Sequence, residues 1–131
     1  MALELSVNAN FFFTKNNLAL AGAANNSITV TGTNFINSTQ LITTGATTVV
    51  FGANLGVASV GIIMLQNSDT TNFVDIDFNN DLTFPIRLGP ANSTAVLGGF
   101  VMAYLGAGQV TVVKARANTA SCNLIVSAVE A

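Results

Sequence analysis

The residues best suited to chemistry lie in one short run, Asp75-x-Asp77-x-Asn79-Asn80-Asp81. Oxygen donors at alternate positions resemble a calcium-binding loop, in which hard oxygen ligands surround the ion. The match is incomplete. Asn80 stands where such a loop needs glycine, and Ile86 stands where it needs a bidentate glutamate. The same run alternates with Val74, Ile76 and Phe78, so the simpler reading is the polar face of a strand running into a hairpin. A weak cation site at the turn is the alternative. The two carboxyls do not read as a glycosidase pair, because no aromatic sugar platform or groove accompanies them. Lys114 and Arg116 also alternate, in VTVVKARA, and are able to pair with Asp75 and Asp77 across strands or across subunits. Exposed, such a pair contributes about 0–1 kcal/mol. In a desolvated interface it selects a partner. A solvated sheet face is the plainer reading of the same residues.

Other chemistry is excluded by missing residue types. The chain has no histidine and one cysteine. That removes the Ser-His-Asp and Cys-His arrangements and any structural zinc site. No glycine-rich loop with a following Lys-Ser/Thr is present. We expect no enzyme, no metal, no cofactor and no small-molecule substrate. Net charge is −2, and the four basic residues, Lys15, Arg87, Lys114 and Arg116, are scattered. They make no footprint for nucleic acid. Cys122 reads as a small buried apolar residue. Asn-x-Ser/Thr triplets begin at Asn25, Asn37 and Asn92. In a chain so rich in these residues they carry no signal.

Residues 16–68 hold no charged side chain. The whole chain of 131 residues is 8% charged and 50% hydrophobic. A surface left to water is usually about 25–35% charged. The reading is that much of the outer surface is covered, by copies of the chain or by a large partner. A membrane is not the expected cover. The longest clean apolar run, Leu55–Leu65, falls short of the roughly 20 residues of a helical span and contains glycine and serine. A transmembrane barrel wants aromatic girdles, and the chain has no tryptophan and one tyrosine, Tyr104. Glu4 stands where a secretory signal needs positive charge, so no export by such a signal is expected.

The elements that must position these residues are strands. Val, Ile, Thr and Phe dominate, and Asn, Gly and Ser punctuate at short intervals. Strands are expected near 27–33, 39–44, 47–52, 58–66, 72–78, 82–88, 94–104, 109–117 and 122–129. In LTFPIRL, Leu82, Phe84, Ile86 and Leu88 are expected on one face, with Pro85 marking an edge strand or bulge. Asn79-Asn80-Asp81 suits a hairpin turn through left-handed backbone angles. Gly89–Ser93 and Gly106–Gly108 read as loop and turn. Short strands at this spacing indicate an all-β, antiparallel sandwich or barrel.

Residues 1–26 show no clean period. They read as an N-terminal arm, with 27–131 as the β domain. Phe11, Phe12 and Phe13 cannot all face one side of a strand. With Lys15 they are candidates for docking on a neighbouring subunit, since exposed they would invite aggregation. An edge strand of the same domain, with one Phe in the core, is the other reading. Asp75, Asp77, Lys114 and Arg116 are the candidates for setting register between subunits.

Three segments carry a resemblance. LQNSDTTNFVDIDF (Leu65–Phe78), FPIRLGPANSTAVL (Phe84–Leu97) and VVKARANTASCNLIVSAVEA (residues 112–131) resemble small virion proteins of tailed bacteriophages. In those, an N-x-D-x-x-N-aromatic-V strand precedes a P-[IF]-[KR]-L segment, and the chain closes with K-A-x-A-N-T-A-x-x-x-L-x-V. The likeness covers roughly the last 70 residues and departs at Gly89-Pro90-Ala91-Asn92, where relatives place a Pro-Gly-Glu turn. It implies a β-sandwich or jelly-roll virion component with an extended N-terminal arm. The best fit is a capsid cement or decoration protein, trimeric, clamping neighbouring major capsid subunits on the outer surface of a phage head after assembly in the host cytoplasm. The alternatives are another virion part (neck, tail or fibre base) and a small carbohydrate- or calcium-binding β module.

Overall fold

β-branched and aromatic residues at alternate positions, broken by Asn, Gly and Asp, build strands over about half of the chain. In a computed structural model the described residues are 3–15, 18–30, 32–91, 98–105, 108 and 110–130. Their strands are β1 (Leu3–Lys15), β2 (Leu18–Val30), β3 (Phe35–Ile42), β4 (Thr47–Thr48), β5 (Val60–Asn67), β6 (Val74–Asp77), β7 (Ile86–Leu88), β8 (Phe100–Tyr104), β9 (Lys114–Ala117) and β10 (Cys122–Glu130). A short 3-10 turn covers Val57–Ser59.

The chain divides into two compact units, Met1–Thr31 and Gly32–Ala131. In the first, β1 and β2 pair antiparallel from Leu3↔Val30 to Lys15↔Leu18. Most of the segment expected as an extended N-terminal arm thus lies in a long hairpin. Residues 27–30, expected in the first strand of the β domain, belong to β2.

The second unit is an all-β sandwich of two four-stranded antiparallel sheets, with orders β3-β10-β5-β8 and β4-β9-β6-β7. The pairings are nested: β3 with β10, β4 with β9, β5 with β8, β6 with β7. The chain therefore behaves as one long hairpin whose successive arms alternate between sheets. The inward residues of both sheets form one core. Ile42, Ile63, Leu65, Leu124 and Val126 come from the first sheet, and Val74, Ile76, Leu88, Ala115 and Ala117 from the second. Each large aliphatic side chain so buried contributes about 1.5–3 kcal/mol. Cys122 lies in this core, and burial pushes its thiol pKa above the ordinary value.

Two expected strands are corrected. FVDIDF was expected to have one wet side, yet Val74, Asp75, Ile76 and Asp77 are all buried. LTFPIRL was expected to be a continuous strand, yet only Ile86–Leu88 is one. Residues 79–85 form a loop with positive φ at Asn80 (58°), Leu82 (61°) and Phe84 (50°). The cause is Asp77, whose carboxylate accepts the backbone N–H of Asn79 at 2.7 Å and of Leu82 at 2.8 Å. Those bonds turn the chain back before a ladder can form. Pro85 has no N–H to give a ladder, so pairing resumes at Ile86, on the edge strand β7. The turn expected at Asn79–Asp81 is present, with Asn80 left-handed. Gly89–Ala91 is loop as expected, and Gly108 takes a positive φ of 74° in a turn. Residues 92–97, part of the strand expected at 94–104, lie outside the described residues.

Candidate assembly surface

The outer face of the first sheet follows from strand alternation. On β3 it presents Phe35, Asn37, Thr39 and Leu41, while Ile42 at the strand's end is buried. The register then brings Val129, Ser127, Ile125 and Asn123 of β10 beside them. On β5 the outward positions are Ile62, Met64 and Gln66, opposite Tyr104, Met102 and Phe100 of β8. No position on this face is charged. Antiparallel sheets that end in water usually turn a polar side outward. Here the large residues Phe35, Leu41, Phe100, Met102 and Tyr104 are exposed. Polar contact within the face is slight, such as the 3.3 Å bond from the Ser127 hydroxyl to Asn37 Oδ1.

The first sheet's Glu130 ends β10. Its carboxylate accepts from the Thr33 and Asn34 N–H groups at 3.1 and 3.2 Å and from Asn34 Nδ2 at 2.8 Å. That closes the start of β3 onto the end of β10. Close by, a cleft of about 240 Å³ opens between Thr33–Ile36 and Phe51–Leu55. No charged side chain lines it.

Charge gathers on the second sheet. Asp75 is only 4% exposed and sits opposite Arg116 and Arg87 on the flanking strands. Arg87 Nε donates to its carboxylate at 2.8 Å and Nη2 at 3.3 Å, while Arg116 Nη2 donates at 3.4 Å. The Arg87 guanidinium lies 3.7 Å from the Phe73 ring centre and that of Arg116 4.3 Å from Phe84. Each cation is thus held between an anion and an aromatic face. The hydrogen bond from Arg87 to Asp75 raises the pKa of Arg87 further. Phe84, expected on one face with Ile86 and Leu88, is buried but apart from the main core cluster, beneath the Arg116 guanidinium. Asp77 and Lys114 are directly opposite in the ladder. Asp77 serves the loop N–H groups, and Lys114 Nζ donates to Thr48 Oγ1 at 2.7 Å.

The expected interface residues therefore separate. Asp75, Asp77, Lys114 and Arg116 are brought together on β6 and β9, with Asp75 paired to Arg116 within the chain. Phe11, Phe12, Phe13 and Lys15 lie on β1, paired with Gly22, Ala21, Leu20 and Leu18. Asp81 of the suspected calcium run accepts from the Thr83 N–H at 3.0 Å and hydroxyl at 2.7 Å. Those two bonds hold its pKa below the ordinary carboxylate value. Among the described residues no group of three or more Cys, Asp and Glu side chains is placed to hold a metal ion, and no helix is long and apolar enough to cross a membrane.

Sequence reasoning missed Phe35, Leu41, Phe100, Met102 and Tyr104. In FVMAY the large residues alternate with small ones, which invites placing the large ones inside. The register does the reverse, pairing Ala103 with Ile63 and Val101 with Leu65 on the core side. The signal available was the chain's scarcity of charge.

No protein family, curated protein or solved structure matches this chain.

Proposed function

We propose that the protein is a non-enzymatic structural component of a tailed-phage virion. It acts as a cement or decoration protein that binds the outer capsid surface as a trimer and clamps neighbouring major capsid subunits. One observation carries this reading: a whole sheet face without charge, bearing exposed aromatic and aliphatic side chains. Such a face is an aggregation hazard on a free monomer and an asset in an assembly. The nested strand pairing adds support. We read it as a jelly roll, an architecture that viral capsid domains share with lectins and other proteins. Architecture alone does not name a function, so the weight rests on the face and on the resemblance of the C-terminal segments. The β1–β2 hairpin is the reaching arm in this reading. A two-stranded hairpin alone is marginally stable at best, which suits an element that gains its order by docking.

The test is sedimentation of the purified protein with empty tailed-phage capsids. Co-sedimentation is expected, as is its loss on deletion of residues 1–31, a deletion that leaves the core cluster of the second unit intact. A folded full-length chain that stays in the supernatant would count against the reading.

A further inference from the structure

We propose that copies of this chain join one another through the uncharged outer face of the first sheet, resting on the assembly reading above. Three arguments select a second copy as the occupant. The first is area. Phe35, Phe100 and Tyr104 are 78%, 59% and 64% exposed. At about 150–250 Å² per aromatic side chain, they alone offer on the order of 400 Å². With Leu41, Met102 and the half-buried centre of the sheet, the face approaches the roughly 800 Å² per partner of a standard interface.

The second argument is charge. A partner with an ionic footprint would leave its own charges desolvated and unpaired on this face. A partner equally free of charge would not. This same face of another copy is such a surface, and it is present at equal concentration wherever the chain is. Where the face meets its whole self it closes a two-fold pair; in a threefold ring, different parts of the face on neighbouring copies meet instead.

The third argument comes from the sheet edges. Natural proteins blunt edge strands with brevity, proline or charge. The second sheet does this: β4 has two residues, and β7 has three, follows Pro85 and carries Arg87. The first sheet does not. Its edges are β3, eight residues, and β8, five residues, with neither proline nor charge in either. The sheet with the apolar face is thus also the sheet with open edges.

The test is sedimentation equilibrium of the full-length protein and of the double variant Phe100→Lys/Tyr104→Lys, with Lys114→Gln on the other sheet as control. Thermal unfolding of each confirms an intact fold, which two exposed positions should preserve. The wild type and the control are expected to be oligomers. The double variant is expected to run near the 13.5 kDa of one chain, its self-association weakened about a thousandfold. A wild type that is monomeric up to its solubility limit overturns the inference, and so does a folded double variant that stays oligomeric. Capsid binding measured in parallel separates the two readings. A monomeric wild type that binds capsids through Phe100 and Tyr104 overturns the second-copy assignment and leaves the virion role standing. An oligomer that the double variant dissolves, but that ignores capsids, upholds the assignment and removes the role.

Discussion

Asn67 shows how much one polar side chain can hold. It is fully buried at the end of β5. Its Nδ2 donates to the carbonyls of Asn72 at 2.7 Å and of Leu88 and Gly89 at 3.1 Å, and its Oδ1 accepts the Asp69 N–H at 3.0 Å. Asn67→Leu strands these groups without water. At about 1–3 kcal/mol for each unsatisfied group, partly relaxed, a loss of about 3 kcal/mol is expected in urea denaturation. Gly98 belongs to the same knot, because a Cβ there would run into the Asn67 carbonyl. Asp69 is the acid-sensitive member. The N–H groups of Asn72 and Thr71 bond its carboxylate and lower its pKa, as Thr83 does for Asp81. A depressed carboxylate adds stability above its unfolded value near 4, and that stability is lost as pH falls through the folded value. Urea titrations over a pH series should therefore show stability falling below about pH 4. The fall should be shallower in Asp69→Asn/Asp81→Asn; an unchanged slope would remove these two carboxylates as its source.

At the scale of elements, the 79–85 loop depends on Asp77. Asp77→Ala removes the acceptor of two backbone N–H groups and is expected to destabilise by about 2–3 kcal/mol. It should also loosen Phe84 from Arg116, visible as faster hydrogen exchange in the loop. Leu82 is exposed and left-handed, a conformation costing a residue with a Cβ about 1–2 kcal/mol. Leu82→Gly should relieve this strain and raise stability by up to about 1 kcal/mol, the gain reduced by glycine's extra unfolded-state entropy. A loss of stability would mean that the Leu82 side chain contributes packing in spite of its exposure.

At the scale of the molecule, the sandwich has two unlike outsides. One carries Asp75 and its two arginines, each satisfied within the chain. The other carries no charge. Ion pairs exposed to solvent weaken as salt rises, whereas apolar contact does not. On the proposed reading, self-association and capsid binding should therefore persist in about 1 M salt. Dissociation on raising salt, followed by light scattering, would shift the interface back toward Asp75, Asp77, Lys114 and Arg116.

Much of this molecule was legible in the chain. Alternating β-branched residues marked most strands of the sandwich, though 27–33 falls largely in the hairpin and β7 and β9 begin four and five residues later than expected. Asn80 marked the left-handed turn, and the alternation of Lys114 and Arg116 matches the burial of Val113, Ala115 and Ala117 between them. Local chemistry determines such features, because backbone preference and period act over a few residues. Which side of a strand meets the core was a different matter. Period-two alternation separates two faces but does not say which is inside. For β8 the answer came from its register with β5, which turned Val101 and Ala103 inward and left Phe100, Met102 and Tyr104 outside. For β6 it came from Arg87, Arg116 and the returning loop, which covered a face that composition alone would leave wet. Both outcomes depend on partners distant in sequence, and only the folded chain brings them together.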